Sequence, residues 1–436
     1  MNQFTVSVWG DEAFSAVLSQ KSVPQIISII IRDTSPPLYN LTEHFWFKLF
    51  GNSEVAIRAL SFLYFLIAVL FVYKIGSYLW NKNAGLIAAL LTFLNPFFFI
   101  YAFEGRMYSL LAATVTASFY FFLSKKWKWY VVATTLALYT HHFAIFAVFT
   151  QGLWFLKEFF FGKRKVAYSI LKSFALVAVL YSPWILPLYG QTKMVGGGFW
   201  LGTPTLVDLR NLIYNYLAEG IKHRLAQPAL YLAFAIVILR RWLADKEKSL
   251  VLLSWFFVPI VLTWVVSQKF QSIFFDRYLL YTIPAAMLLL GSNLRRYSYI
   301  FLTPLILFFV IMDVFYFTHP TKLPFRDLAT YVREVQKGDD YLINWNSASH
   351  HLWESKYYGL SAPLYNPGKA LPFFVGTALM TKDDVVSSIP KKVDSHTVAR
   401  VGVITSGSID ETSLPGYTRG EAKTFSDLKF VWFDKI

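Results

Sequence analysis

Residues 57–79 read IRALSFLYFLIAVLFVYKIGSYL, with Arg58 and Lys74 the only charges. A helix needs about 20 consecutive, mostly apolar residues to cross a bilayer. This stretch meets that length, and similar ones recur at roughly 84–101, 108–123, 129–141, 143–156, 166–188, 227–239, 249–267, 278–292 and 299–316. The pieces at 129–141 and 143–156 are short enough to form a bent pair. Pro96, Pro183, Pro187, Pro259, Pro284 and Pro304 fall inside or at the ends of these stretches. Bundled membrane helices tolerate proline because neighbours re-satisfy the freed carbonyls. The reading is an α-helical polytopic membrane protein with about ten transmembrane helices.

Composition agrees. The chain has 436 residues, 56% of them hydrophobic and only 15% charged. A soluble domain averages about 25% charged residues. Disordered and nucleic-acid-binding classes are excluded on the same ground. Cysteine is absent, which removes disulfides, thiolate metal sites and cysteine nucleophiles. Net charge is nonetheless +15. Most of the excess sits in five short loops holding Lys74 and Lys82; Lys125, Lys126 and Lys128; Lys157, Lys163, Arg164 and Lys165; Arg240, Arg241, Lys246 and Lys248; and Arg295 with Arg296. The positive-inside rule puts these loops in the cytoplasm. Residues 1–56, the turn at 101–106, the loops at 189–226 and 268–277, and the tail then face the other side.

Three domains follow: a first extracytoplasmic loop with amphipathic helices (1–56), a transmembrane domain (57–318), and a small soluble extracytoplasmic α/β domain (319–436). In the tail, 324–337 and 350–358 read as helices, and 340–345, 398–405 and 430–433 as strands. The aromatic-rich 350–358 is either a sugar-stacking surface or an amphipathic helix packed on the domain core. The first ten residues carry neither a signal peptide nor a hydrophobic span. Because the topology starts the chain outside, either its start is displaced or a first transmembrane helix is missing.

Five segments carry chemistry. Asp11 and Glu12 are adjacent carboxylates where the chain leaves the membrane. Such a pair can hold a general base or a divalent metal; the plain alternative is a solvated surface pair. Ser35-Pro36-Pro37-Leu38-Tyr39 imposes a stiff, extended path or a simple connector. Glu104-Gly105-Arg106-Met107-Tyr108 puts opposite charges at a membrane boundary, where charge is costly unless paired or solvated. His141 and His142 point about 100° apart on a helix, so they are poor joint ligands for one metal, though one could hydrogen-bond a phosphate. Arg277 can fork onto a phosphate, or pair with Asp276 or Glu104. All five segments land on the face opposite the basic loops. Acidic groups for a hydroxyl and basic groups for an anion suit group transfer from a phosphate leaving group.

The order of these motifs resembles the GT-C class of polytopic membrane glycosyltransferases, nearest the protein O-mannosyltransferases, the aminoarabinose lipid A transferases and their bacterial relatives. The matching residues are Asp11-Glu12, Pro36-Pro37-Leu38-Tyr39, Gly51 with Arg58, Glu104 to Tyr108, Thr140-His141-His142-Phe143 and Arg277-Tyr278-Leu279. The resemblance spans residues 8–320. Two features depart from it: no transmembrane helix precedes the acidic pair, and Ser35 stands where a histidine is common.

The resemblance implies an inverting transfer of a sugar from a polyprenyl-phosphate donor to a hydroxyl of a protein, lipid or glycan acceptor, at the outer face of the plasma (inner) membrane. Asp11 would be the general base, and Glu12 would orient substrate or help hold a divalent metal if one is used. No other cofactor is implied. Glu104, Arg106, Tyr108 and Tyr39 would bind substrate, and His142 and Arg277 would contact the donor phosphate. The alternative class is a lipid-linked sugar transporter or flippase, which would favour mid-membrane charges and internal repeats. Neither stands out in the chain.

Overall fold

The computed structural model describes residues 1–220, 226–292, 298–345, 350–368, 370–390, 392–393 and 396–436. Arg295, Arg296 and residues 221–225 of the expected 189–226 loop lie outside the described residues. The chain divides into two compact units. One joins Met1–Asp33, Asn40–Ile57 and His319–Ile436; the other joins Thr34–Tyr39 and Arg58–Thr318.

The larger unit is helical. Among the described residues, five helices are long and apolar enough to cross a membrane: Glu54–Leu79, Ala144–Phe161, Arg164–Gly196, Gln227–Ala244 and Lys246–Lys269. Lys82–Phe93 and Pro96–Ala102 make a sixth if counted as one span bent by 68°. Tyr108–Leu123 and Leu302–Thr318 are shorter apolar helices. The count is therefore below the ten stretches read from hydropathy. One reason is visible at 276–291, where the apolar run breaks into Asp276–Leu279, Leu280–Thr282 and Ile283–Gly291.

The prolines act locally. Asn95 ends the bend: its side chain accepts from Phe98 N–H and donates to the Tyr216 carbonyl at 2.8 Å. Pro183 sits in a short 3-10 turn, Ser182–Trp184, inside the Arg164–Gly196 span. Pro259 lies within Lys246–Lys269, and the Thr263 hydroxyl donates to its carbonyl at 2.7 Å. Glycines allow close helix contacts. A Cβ at Gly76 would stand 2.6 Å from Gly85 Cα, and one at Gly291 would stand 2.7 Å from Ala88 N. Leu63, Leu66 and Leu70 are exposed along one stripe of Glu54–Leu79, which suits a lipid-facing surface.

The smaller unit is built on a six-stranded sheet. Its strands are β1 (Asp340–Trp345), β2 (Leu364–Tyr365), β3 (Val385–Val386), β6 (Arg400–Thr405), β7 (Tyr417–Phe425) and β8 (Leu428–Lys435), with β4 (Lys392–Val393) and β5 (His396–Thr397) forming a separate ribbon. The sheet order is β3-β2-β1-β6-β8-β7. β1 pairs in parallel with β2 and β6, and β8 runs antiparallel to β6 and β7. Side chains alternate across a strand, so the sheet has two buried faces. Leu342, Ile404, Leu428 and Phe430 pack with Phe325, Leu328, Ala329 and Val332 of the helix Phe325–Val335. Ile343, Val401, Val403, Val431 and Phe433 face the other way. Arg400 forks onto Asp340, at 2.7 and 2.8 Å, across the starts of β6 and β1.

The N-terminal segments belong to this unit through polar ties. Arg326 holds Glu54 at 2.7 Å and the Thr5 carbonyl at 2.6 Å. The Tyr358 hydroxyl donates to Glu54 and accepts from Val8 N–H, both at 2.9 Å. Ser19 donates to Glu43 at 2.7 Å, linking Gly10–Ser19 to Leu38–Phe50.

Candidate active site

Asp11 and Glu12 lie in the first turn of Gly10–Ser19, where acidic side chains suit the positive end of the helix dipole. Successive helical residues point about 100° apart, and here this separates the pair. Glu12 is fully buried. Its carboxylate accepts from Trp9 N–H at 3.3 Å and pairs with Lys322 Nζ at 2.9 Å. Asp11 keeps 22% of its side chain exposed, with His350 Nδ1 at 3.9 Å. Of the two, Asp11 is the carboxylate that reaches solvent.

The pair does not fit a resident divalent metal. Glu12 is committed to an ammonium, and among the described residues no group of three or more His, Cys, Asp or Glu could hold an ion.

The other expected site residues fall in the helical unit. Glu104 and Arg277 face each other at 3.8 Å and are largely buried. Aromatic rings surround the guanidinium: its centre is 4.8 Å from the Phe275 ring, 5.5 Å from Tyr108 and 6.0 Å from Tyr278. Tyr108 is buried. The arrangement holds Arg277 by charge on one side and by ring faces on the others.

Arg106 and His142 line a cavity of about 310 Å³. Leu138, Phe146, Leu188, Val195 and Ile273 give it apolar walls, and Thr34, Ser35, His141, Gln191 and Tyr278 add polar groups. His142 Nε2 meets Gln191 Oε1 at 2.8 Å, and Gln191 Nε2 donates to the Ser35 carbonyl at 3.3 Å. His142 Nδ1 is buried and has no hydrogen-bond partner among the described residues. His142 lies in the turn between Trp127–Thr140 and Ala144–Phe161. Burial there lowers its pKa to about 4, against the raising effect of Gln191. The ring is thus neutral near pH 7, and Arg106 supplies the cavity's positive charge. His141 lines the same cavity, but its Nδ1 is taken up in accepting from Phe143 N–H at 3.1 Å.

Tyr39 is buried and is not among the cavity's lining residues. Glu104 does not line the cavity either; it pairs with Arg277. Gln191 was not singled out in the sequence. Its signal is slight: a lone glutamine just past the apolar stretch 166–188, where the helix Ile185–Gly196 runs into the expected loop. Ser35 contributes its carbonyl, which any residue type supplies.

The fold is similar to that of solved GT-C structures. Residues 34–186 match the family model described as dolichyl-phosphate-mannose-protein mannosyltransferase. The chain is similar to the crystal structure of ArnT from Cupriavidus metallidurans in the apo state, with a TM-score of 0.66, 13% identity, and coverage of 99% of this chain and 94% of that one. The same protein bound to undecaprenyl phosphate gives 0.60, 14%, 98% and 94%. The Archaeoglobus fulgidus oligosaccharyltransferase complex with Zn and sulfate gives 0.50, 14%, 85% and 59%. No curated protein sequence matches the chain significantly. The family match and the fold support a membrane glycosyltransferase of the GT-C class, and the apolar helices support a multi-pass membrane protein.

Proposed function

We propose that this chain transfers a sugar from a polyprenyl-phosphate carrier to an acceptor hydroxyl at the outer face of the plasma membrane, inverting the anomeric centre. The observation that carries the reading is the cavity whose apolar walls meet Arg106, His142 and Gln191. A lipid phosphate has the same division, a long apolar chain with an anionic head. The similar ArnT is known with undecaprenyl phosphate bound.

The reaction is a single displacement. Asp11 takes the acceptor's hydroxyl proton as that oxygen attacks the anomeric carbon. The bond from the anomeric carbon to the phosphate oxygen breaks, and the lipid phosphate leaves with its electron pair. Arg106 and Arg277 stabilise the developing charge, with Glu104 and the aromatic rings orienting Arg277. Neutral His142 donates Nε2–H to Gln191 Oε1, which leaves its Nδ1 as an acceptor for a hydroxyl of the donor sugar. Glu12 anchors its helix, and the acceptor is a protein, lipid or glycan hydroxyl.

The test is radiolabel transfer from undecaprenyl-phosphate mannose and from undecaprenyl-phosphate aminoarabinose into membrane acceptors. A general base contributes about 10²–10⁴-fold. Asp11→Asn should therefore lose transfer by that factor while still binding undecaprenyl phosphate. Normal turnover by Asp11→Asn would remove the base assignment. Lipid movement in liposomes without sugar incorporation would favour the flippase instead.

A further inference from the structure

Three features lie outside the assigned roles. Asp313 is a buried carboxylate in the helix Ser298–Thr318, and its oxygens have no hydrogen-bond partner among the described residues; nothing beside it indicates a ligand. The polar recess around Asp208 and Asp276 is explained by helix capping, since Asp208 closes a capping box with Thr205. The third is His350, which faces Asp11.

His350 directly precedes the helix His351–Tyr357 in the smaller unit, and Asp11 opens the helix Gly10–Ser19 in the same unit. His350 Nδ1 lies 3.9 Å from Asp11 Oδ1. A surface ion pair at that distance is usually worth little. Here the backbone beside it is shaped around the imidazole. A Cβ at Gly10 would stand 2.4 Å from His350 Cβ and 2.8 Å from its Nδ1. Only a residue without a side chain allows the ring so near the start of that helix. The Trp9 ring lies on the same side, 6.3 Å away.

The spacing is fixed one turn further along both helices. Phe14, three residues after Asp11, packs edge-on against Trp353, three residues after His350, at 5.2 Å. Trp353 is buried and donates to the Val375 carbonyl at 3.0 Å. A Cβ at Gly376 would stand 2.8 Å from Phe14 and 3.0 Å from Trp353. Packing therefore sets where His350 and Asp11 face each other, while both stay open to solvent, His350 with half of its side chain exposed.

We propose that His350 is a positioning residue for Asp11, a role that rests on Asp11 being the general base. Its Nδ1 faces one carboxylate oxygen of Asp11. A carboxylate has about four lone-pair sites, so others are left to accept the acceptor's proton. At 3.9 Å the contact is longer than a hydrogen bond, so it orients the carboxylate without capping it.

The test compares purified full-length His350→Ala, His350→Asn and Asp11→Asn, reading kcat and donor KM for undecaprenyl-phosphate mannose alongside thermal melting. His350→Ala should lower kcat about tenfold, leave donor KM within twofold, and melt like the unaltered chain. His350→Asn, whose amide reaches the place of Nδ1, should recover most of the rate. Unaltered kcat in His350→Ala, with Asp11→Asn inactive, overturns the role of His350 alone. So does a kcat loss that asparagine fails to recover and that tracks a lowered melting temperature. Full activity in Asp11→Asn, or no turnover by the unaltered chain, overturns the base assignment and the role of His350 with it.

Discussion

Glu12 and Lys322 form a buried pair at 2.9 Å, and a buried charge that loses its partner is strongly destabilised. Lys322→Ala should therefore lower the stability of the smaller unit by about 3 kcal/mol, read as denaturant unfolding of the full chain. Glu12→Gln with Lys322→Gln should cost less than Lys322→Ala alone. Arg277 belongs to the same scale but to another kind of effect. If it contacts the donor phosphate, removing its charge-assisted hydrogen bonds forfeits about 1.5–3 kcal/mol. Arg277→Ala should then weaken undecaprenyl phosphate binding roughly ten- to hundredfold, checked by titrating the intrinsic tryptophan fluorescence. Unchanged affinity would take Arg277 out of the donor site. The residues themselves name Asp11 and Glu12 only as a pair, and it is the family resemblance that gives them different roles. Their difference is one helical step, and only the contact with Lys322 decides which carboxylate turns inward. His350 was legible only as part of a tail helix, because its nearness to Asp11 joins residues far apart in the chain.

Helices in the bundle are set by small residues where they approach most closely. Gly85 and Gly291 leave no room for a side chain without backbone movement, whereas nothing lies within 4 Å of a Cβ built at Gly152. Gly291→Val should cost about 1–3 kcal/mol through overpacking and lower the melting temperature in detergent. Gly152→Ala, inside Ala144–Phe161, should be neutral or raise stability by up to about 1 kcal/mol. A Gly291→Val chain that melts as high as the unaltered one would show that this contact yields freely. Element boundaries reveal where hydropathy speaks and where it does not. The longest apolar stretches became helices close to their expected places, but 276–291 broke up at Leu280–Thr282 and Pro284. The helix Leu206–Ala218 falls within the expected 189–226 loop, although Thr205 and Asp208 form its capping box. The strand Tyr417–Phe425 escaped because it is mostly exposed and polar at the sheet's edge, so alternation gave no signal. The helix at His351–Tyr357 turns its Trp353 into the core; that ring is packing, not a sugar platform.

The whole chain is organised less simply than its hydropathy suggests. Hydropathy separates a greasy middle from polar ends, and on that basis the tail could be an independent appendage. Contacts contradict independence: Glu54 is held by Arg326 and Tyr358, Glu12 by Lys322, and Phe14 by Trp353. The polar ends form one unit because each leaves buried groups that only the other satisfies. Deleting residues 319–436 should therefore strip Glu12 and Glu54 of these partners and expose the apolar side of Gly10–Ser19. The expected outcome is that the truncated chain still inserts into membranes, since its apolar helices are untouched, yet shows no sugar transfer. Its first 57 residues should also become sensitive to protease added from outside. A less drastic version separates folding from chemistry. Arg326→Leu with Tyr358→Phe removes the ties to Glu54 while leaving Asp11 and His350 in sequence, and should raise proteolysis within residues 1–57 before any change in membrane insertion. A truncated chain that transfers sugar at an undiminished rate would mean that the acidic segment folds and works without the tail, against the shared core seen here.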